Sequence, residues 1–165
     1  MSTKLTIVIP AHNEEEIILK TLTDLRQKLK IPYQIIVVND HSTDSTAEIV
    51  KKYSKGKKEI DLVNNFGLNR GFASTLKIGF RRAKSSYVIP VMADLCDDPK
   101  TINRIYKMLS NGWDIICGSR YMKGGRKVDG PKVQGFLSLL ICKSLKFLTG
   151  VPTNDVSNAF KAYKK

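Results

Sequence analysis

L-T-I-V-I-P-A-H-N-E-E, residues 5–15, is the stretch that decides the fold. A short run rich in isoleucine and valine reaches a proline and turns polar within three residues, as a buried strand does where it leaves a sheet. The arrangement recurs at Q-I-I-V-V-N-D-H-S, residues 34–42, and at Y-V-I-P-V-M-A-D, residues 87–94. None of these runs alternates apolar with polar residues, so each reads as a strand covered on both faces, which is the condition of a parallel sheet. Strands are expected at Leu5–Pro10, Gln34–Asp40, Glu59–Asn65, Tyr87–Ala93 and Asp114–Arg120. Between them Glu14–Lys30, Ser45–Ser54, Gly71–Lys84 and Pro99–Asn111 place apolar residues at helical period. Strands alternating with helices predict a doubly wound α/β fold with a mainly parallel sheet. Asn13 with Glu16 and Ser45 with Glu48 have capping-box spacing, and Asp98-Pro99 reads as an N-cap followed by proline at the first helical position.

Sheets of this kind bind ligands beyond the carboxyl ends of their strands, where the strand order reverses. Three polar clusters stand at such ends: Pro10-Ala11-His12-Asn13-Glu14, Asn39-Asp40-His41-Ser42 and Met92-Ala93-Asp94. They are expected to converge on one crevice. A length of 165 residues suits one domain, residues 1–165, with a single core. Apolar residues at 42% and charged residues at 26% exclude a disordered tail, a collagen-like rod and a disulfide scaffold. The net charge, 28 − 15 = +13, implies anionic partners such as nucleotides or lipid surfaces. Cys96, Cys117 and Cys142 lack paired spacing, which fits a reducing compartment. No leader pattern precedes Leu5, and the apolar stretch from Gly135 to Cys142 falls well short of the roughly 20 residues that span a bilayer. A cytoplasmic chain without its own anchor, peripheral at the cytoplasmic face of a membrane, is the expectation. Nucleic acid is disfavoured as a partner, because the lysines at 51, 52, 55, 57 and 58 carry no interleaved aromatic motif and suit a solvated face. Neither a P-loop nor a G-x-G-x-x-G fingerprint is present, which argues against ATPases and dehydrogenases.

Taken in order, V-I-P-A-H-N-E-E, I-I-V-V-N-D-H-S-T-D, N-R-G-F-A-S-T-L-K-I-G-F, M-A-D-L-C-D-D-P, G-S-R-Y-M-K-G-G and D-V-S-N-A-F-K-A-Y resemble the family 2 glycosyltransferases, especially their dolichyl-phosphate or polyprenyl-phosphate branch. The resemblance implies a glycosyltransferase A-type fold, a divalent cation, Mg2+ or Mn2+, and inverting transfer of a sugar from a nucleoside diphosphate to a lipid phosphate. It implies a donor pocket built from Pro10, Ala11, His12, Glu14, Asn39, Asp40, Gly71 and Ala93, with Asp94 as metal ligand and catalytic group. Alternatives stand beside several of these. The dipole of a helix start alone favours an acid at Glu14, His12 suits a solvated turn as well as a nucleobase, and Gly71 suits close helix packing as well as an anion site. The family pattern has two aspartates where this chain has Asn39-Asp40, and a carboxylate where it has Met92. Thioether sulfur is a poor ligand for a hard cation, so Asp94 is left to hold the metal with water and the donor's phosphates, and Asp97 is a secondary candidate.

For the acceptor phosphate the resemblance implies Arg120, also a catalytic candidate, with Ser138 and Lys161; Lys123, Arg126 and Lys127 are basic neighbours in sequence. The branch pattern has an arginine where this chain has Gln134. Val133–Leu148 reads as a helix with Phe136, Leu137, Leu140, Ile141, Leu145 and Leu148 on a core-facing stripe, broadened by Leu139, Cys142 and Phe147. A bilayer or a further protein segment would be needed to cover what the core does not. The implied partners are a nucleoside-diphosphate sugar, a polyprenyl-phosphate lipid, an anionic membrane surface, and a second copy or a membrane protein. Two other readings remain open: a nucleotide-sugar-binding or regulatory module without turnover, motivated by Met92 and Asn39, and a transferase acting on a saccharide hydroxyl.

Overall fold

Isoleucine and valine set the frame of the molecule. β1 (Leu5–Ala11), β2 (Tyr33–Asn39), β3 (Ile60–Asn64) and β4 (Tyr87–Pro90) pair in parallel, β1 with both β2 and β4 and β2 with β3. The computed structural model describes residues 4–122, 124–125 and 132–165. Within them α1 (Ile18–Lys28), α2 (Thr46–Ser54), α3 (Phe72–Arg82) and α4 (Pro99–Ser110) alternate with the strands. β5 (Ile115–Cys117), α5 (Lys132–Thr149) and β6 (Lys161–Lys164) follow. The six-stranded order is β3-β2-β1-β4-β6-β5, an α/β architecture with a mostly parallel sheet. The chain folds as two compact units, one of residues up to Ile116 together with Ala162–Lys165, the other of Cys117–Lys161.

Both faces of the central strands are buried in the first unit. Val8, Ile36, Val38 and Val88 form one cluster with Leu76, Ile78 and Phe80 of α3. Gly79 makes this approach possible, since a Cβ there would lie 2.2 Å from Val8 Cγ1. Ile7, Ile9, Ile35, Val37 and Ile89 alternate onto the opposite face and are also buried. The apolar sides of α1 (Ile18, Leu22, Leu25) and α4 (Ile102, Ile105, Leu109) are buried, and α1 packs against both α2 and α4. The chain runs outward from β1 to β2 and β3, then returns to place β4 on the other side of β1. The order therefore reverses between β1 and β4.

Several expectations need correction. β6 was not anticipated; Lys161-Ala-Tyr-Lys runs antiparallel to β4, with Val88 opposite Tyr163. Its four residues carry two lysines and no β-branched residue, so no strand signal exists. Asn13 and Glu16 do not cap α1, which starts at Ile18 without a side-chain cap, because Asn13 Oδ1 instead accepts from the Thr43 N–H. Ser45 makes no side-chain cap to α2 either; Asp44 Oδ1 accepts from the Thr46 N–H and hydroxyl. Asp98 caps α4 as expected, accepting from the Lys100 N–H, with Pro99 next. The core-facing stripe expected of α5 faces outward: Phe136, Leu137, Leu140, Ile141, Leu145 and Leu148 are exposed, whereas Cys142 is buried.

Candidate functional site

The β1 and β4 ends flank the reversal, and a cavity of about 510 Å3 opens there in the first unit. Its lining includes Asn13, Glu14, Glu15, Asp44 and Asp94. Backbone strain marks the same places. Among the described residues, the non-glycine positions with positive φ are Asn13 (54°), His41 (58°) and Leu95 (62°), each just past the end of β1, β2 or β4. The left-handed region is tolerated by asparagine but costs a branched residue such as leucine about 1–3 kcal/mol, and such outliers cluster at functional sites.

Cross-loop hydrogen bonds hold this geometry. The Asn13 N–H donates to Ser42 Oγ (3.0 Å), the Glu14 N–H to Thr46 Oγ1 (2.8 Å) and the Glu15 N–H to Asp44 Oδ2 (3.1 Å). Ser42, Thr43 and Asp44 thus brace the loops, as turn residues are expected to. Glu14 is half-buried, and its carboxyl is pushed above the usual range by burial, then by the charges of Asp94 and Asp44, with His12 opposing. Asp94 is exposed, and its Oδ1 accepts from the Cys96 N–H at 3.0 Å. Ala93 is buried and its carbonyl accepts from the Thr21 hydroxyl, which ties the Asp94 loop to α1. Pro10 is half-buried in β1 and Ala11 is buried beside it.

The second cluster is more tightly engaged than its sequence implies. Asn39 donates from Nδ2 to Asn64 Oδ1 (3.0 Å) and accepts at Oδ1 from the Ser42 N–H (3.3 Å). Asp40, 7% exposed, accepts from Asn65 Nδ2 (2.7 Å), the Gly71 N–H (2.6 Å) and His41 (3.2 Å). Burial would raise its pKa, but the bonds from Gly71, Asn65 and His41 win and hold it below the usual carboxylate range. His12 donates from Nδ1 to the Asp40 carbonyl (2.7 Å), linking the ends of β1 and β2. Gly71 has φ +94° and a Cβ there would meet nothing within 4 Å. The packing alternative for this glycine is therefore wrong; its backbone conformation and its N–H are what matter. Asn65, buried between Asp40, the Asn69 carbonyl and the Gly67 N–H, was missed. The sequence reading takes Asn65 as the last residue of the strand, and nothing in the sequence indicates that its amide faces inward.

The oxygen donors at this cavity fit a hard divalent cation: Asp94 is accessible, and Glu14 experiences repulsion that a cation would relieve. Among the described residues no three acidic, histidine or cysteine side chains are grouped closely enough to hold an ion by themselves. Met92 donates its N–H to Asp97 Oδ2 (3.0 Å), and burial pushes Asp97 up to about 6 despite that bond. Asp97 is thereby turned toward the backbone.

The second unit has its own polar cluster. Arg120 forms a two-pronged pair with Asp155, Nε to Oδ2 and Nη2 to Oδ1, each 2.8 Å, and its N–H donates to Oδ2 as well (3.0 Å). Asp155 is fully buried. Arg120 Nη2 also donates to Ser157 Oγ (3.0 Å), which lies 3.4 Å from Ser138 Oγ. Arg120 and Ser138 are thus joined through Ser157. Lys161 Nζ donates to the Val156 carbonyl at 2.8 Å. Asp155 and Ser157 belong to the D-V-S-N-A-F-K string, where the sequence offers them only as part of a pattern. Lys123, Arg126 and Lys127 lie outside the described residues.

Comparison with known proteins identifies the family and the fold. The family model "Glycosyl transferase family 2" matches residues 6–165, and the chain belongs to that family. It is 35% identical over 130 residues to an uncharacterised glycosyltransferase of Synechocystis, covering 76% of this chain and 40% of that protein. It is 30% identical over 136 residues to the dolichol-phosphate mannosyltransferase of Pyrococcus furiosus (82% and 38%) and 28% identical over 165 residues to the undecaprenyl-phosphate 4-deoxy-4-formamido-L-arabinose transferase of Aeromonas hydrophila (97% and 48%). The chain thus spans less than half the length of these relatives. In fold it is similar to glucosyl-3-phosphoglycerate synthase of Mycobacterium tuberculosis, solved with Mn2+ and UDP (TM-score 0.72, 15% identity, 98% of this chain and 57% of that one). It is also similar to the mannosyltransferase PcManGT of Pyrobaculum calidifontis, solved with GDP-Man and Mn2+ (TM-score 0.65, 21% identity, 99% and 45%). The sheet order and these likenesses define a glycosyltransferase A-type fold.

Proposed function

We propose that this chain is the glycosyltransferase domain, residues 1–165 acting as one, of an inverting enzyme that moves a sugar from a nucleoside diphosphate to a polyprenyl or dolichyl phosphate. The observation that carries the reading is the meeting of Glu14 and Asp94 in one cavity at the strand-order reversal of a family 2 chain. Relatives named for dolichol-phosphate and undecaprenyl-phosphate transfer support the acceptor class.

In this reading the walls at Pro10–Glu14, Asn39–Asp40, Gly71 and Ala93 receive the donor, with Asp40 setting the wall rather than contacting the ligand through a free oxygen. Asp94 would hold Mg2+ or Mn2+, which supplies charge stabilisation to the departing diphosphate. Arg120, Ser138 and Lys161 receive the acceptor phosphate, and Asp155 keeps the Arg120 guanidinium oriented. A lipid phosphate monoester has its second pKa near about 6, so its oxygen is a dianionic nucleophile at neutral pH and requires no protein base. That oxygen bonds to the anomeric carbon as the bond from carbon to the diphosphate oxygen breaks, with inversion, and the nucleoside diphosphate leaves. Action on a lipid acceptor places the protein at a membrane surface.

The test is transfer from a panel of nucleoside-diphosphate sugars to polyprenyl phosphate, with and without Mn2+. Asp94→Asn is expected to lower transfer about 10²–10³-fold with the fold intact. Absence of both donor binding and transfer in the unsubstituted chain would overturn the reading. Met92 favours one rival, a donor-binding module without turnover: nucleotide binding without transfer, with transfer restored by Met92→Asp, would establish it.

A further inference from the structure

We propose that Ser157 binds a phosphate monoester directly, sharing the phosphoryl oxygens with Arg120 and Ser138. Ser157 is exposed, and its Oγ accepts from Arg120 Nη2 at 3.0 Å. The hydroxyl still has its own proton to place, and no described acceptor lies at ordinary O–H···O distance. Ser138 Oγ and Asp155 Oδ1 are each 3.4 Å away, and Cys142 Sγ is 3.8 Å away. Arg120 is in the same condition. Its Nε and Nη2 serve Asp155 and Ser157, whereas Nη1 donates to no described residue, which leaves two N–H groups on a side chain that is 32% exposed.

The surrounding loop is braced to present this hydroxyl. The Asp155 N–H donates to Thr153 Oγ1 (3.2 Å) and the Asn158 N–H to the Asp155 carbonyl (3.4 Å). Asn158 Nδ2 donates to the Gly118 carbonyl (3.2 Å), and Lys161 Nζ to the Val156 carbonyl (2.8 Å). The backbone on both sides of Ser157 is therefore held while its side chain stays in solvent. A guanidinium edge beside hydroxyl donors calls for a ligand that only accepts. A phosphate monoester offers strong acceptor oxygens and is largely dianionic at neutral pH. Residues 117–161 contain eight lysines and arginines against two aspartates, one of which is Asp155, already paired, so the local field favours an anion. A sugar hydroxyl is neutral and brings a proton of its own, which matches these donors poorly.

The proposal rests on the reading of the acceptor as a lipid phosphate and deepens it by assigning a further residue that grips the phosphate. It is tested by NMR titration with inorganic phosphate and with geranyl phosphate, a short water-soluble prenyl phosphate, each without sugar donor. Both are expected to bind, and Ser157→Ala is expected to weaken both about tenfold, with nucleoside-diphosphate binding and thermal unfolding unchanged. Ser157→Thr keeps the hydroxyl and is expected to restore most of that loss. In transfer assays Ser157→Ala is expected to raise KM for the lipid phosphate more than it lowers kcat, because the hydrogen bond forms in ground state and transition state alike. Tighter binding of geranyl phosphate than of inorganic phosphate assigns the site to a lipid headgroup. Equal binding of the two, without transfer to any lipid phosphate, upholds the phosphate site and overturns the lipid reading instead. Absence of phosphate binding in the parent chain, equal binding by Ser157→Ala, or failure of Ser157→Thr to restore what alanine loses would each overturn the proposal.

Discussion

Two carboxylate centres of this protein differ in what balances their charge. Asp155 is fully buried and meets a guanidinium through two 2.8 Å bonds, so its pKa, which burial would raise, is pulled below the usual range by Arg120. Glu14 is only half-buried, yet its pKa is raised, first by burial and then by Asp94 and Asp44. Asp155 has the signature of a group that holds structure, and Glu14 that of a group retained for a ligand, since like charges in one cavity have no structural benefit without a cation.

The largest expected effect lies on the paired side. Asp155→Ala leaves the Arg120 guanidinium without its partner and is expected to cost about 3–5 kcal/mol of stability by denaturant unfolding. Because the folded pKa of Asp155 is depressed, its contribution is complete above the unfolded pKa of about 4 and disappears as pH falls through the folded value. Asp155→Asn is expected to flatten that acid-side loss. A variant as acid-labile as the parent would remove Asp155 from the structural side of the comparison.

An intermediate case is Asn65, which satisfies Asp40 without a full opposite charge. Asn65→Ala is expected to cost about 1–3 kcal/mol, because it strips a hydrogen bond from a buried carboxylate. The expected signature is a lower unfolding midpoint at unchanged denaturant slope. A loss well below about 1 kcal/mol would mean that Gly71 and His41 suffice.

The sequence disclosed the part of this comparison that depends on chain direction. Ile-Val runs mark four parallel strands, and the polar residues at their ends direct Glu14 and Asp94 to one cavity. It did not disclose partners. Whether Asn39 and Asp40 point at a ligand or at Asn64, Asn65 and Gly71 depends on tertiary hydrogen bonds between segments about 25–31 residues apart. Periodicity likewise found the apolar stripe of α5 but assigned it inward, since a 3.6-residue repeat defines a face without saying what lies opposite. β6 was silent because pairing with β4 and burial of Ala162, rather than β propensity, make it a strand.

The smallest effect is the sharpest probe of the unpaired side. Asp94→Asn removes one of the charges that raise Glu14, so the Glu14 pKa is expected to fall part of the way back, burial remaining the larger cause. A raised carboxyl binds its proton more tightly in the folded state, so stability declines as pH climbs from the ordinary glutamate range through the folded pKa. The substitution is expected to shrink that decline, and after solvent screening the gain at neutral pH is on the order of a few tenths of a kcal/mol. Carbon-detected titration of the glutamate carboxyls measures the shift directly. Mn2+ is paramagnetic, so Mg2+ is the probe: it is expected to lower the Glu14 pKa in the parent and to lose that effect in Asp94→Asn. If Glu14 titrates identically in both proteins, with and without Mg2+, the two carboxylates do not share a cation and the cavity loses its claim to the donor's diphosphate.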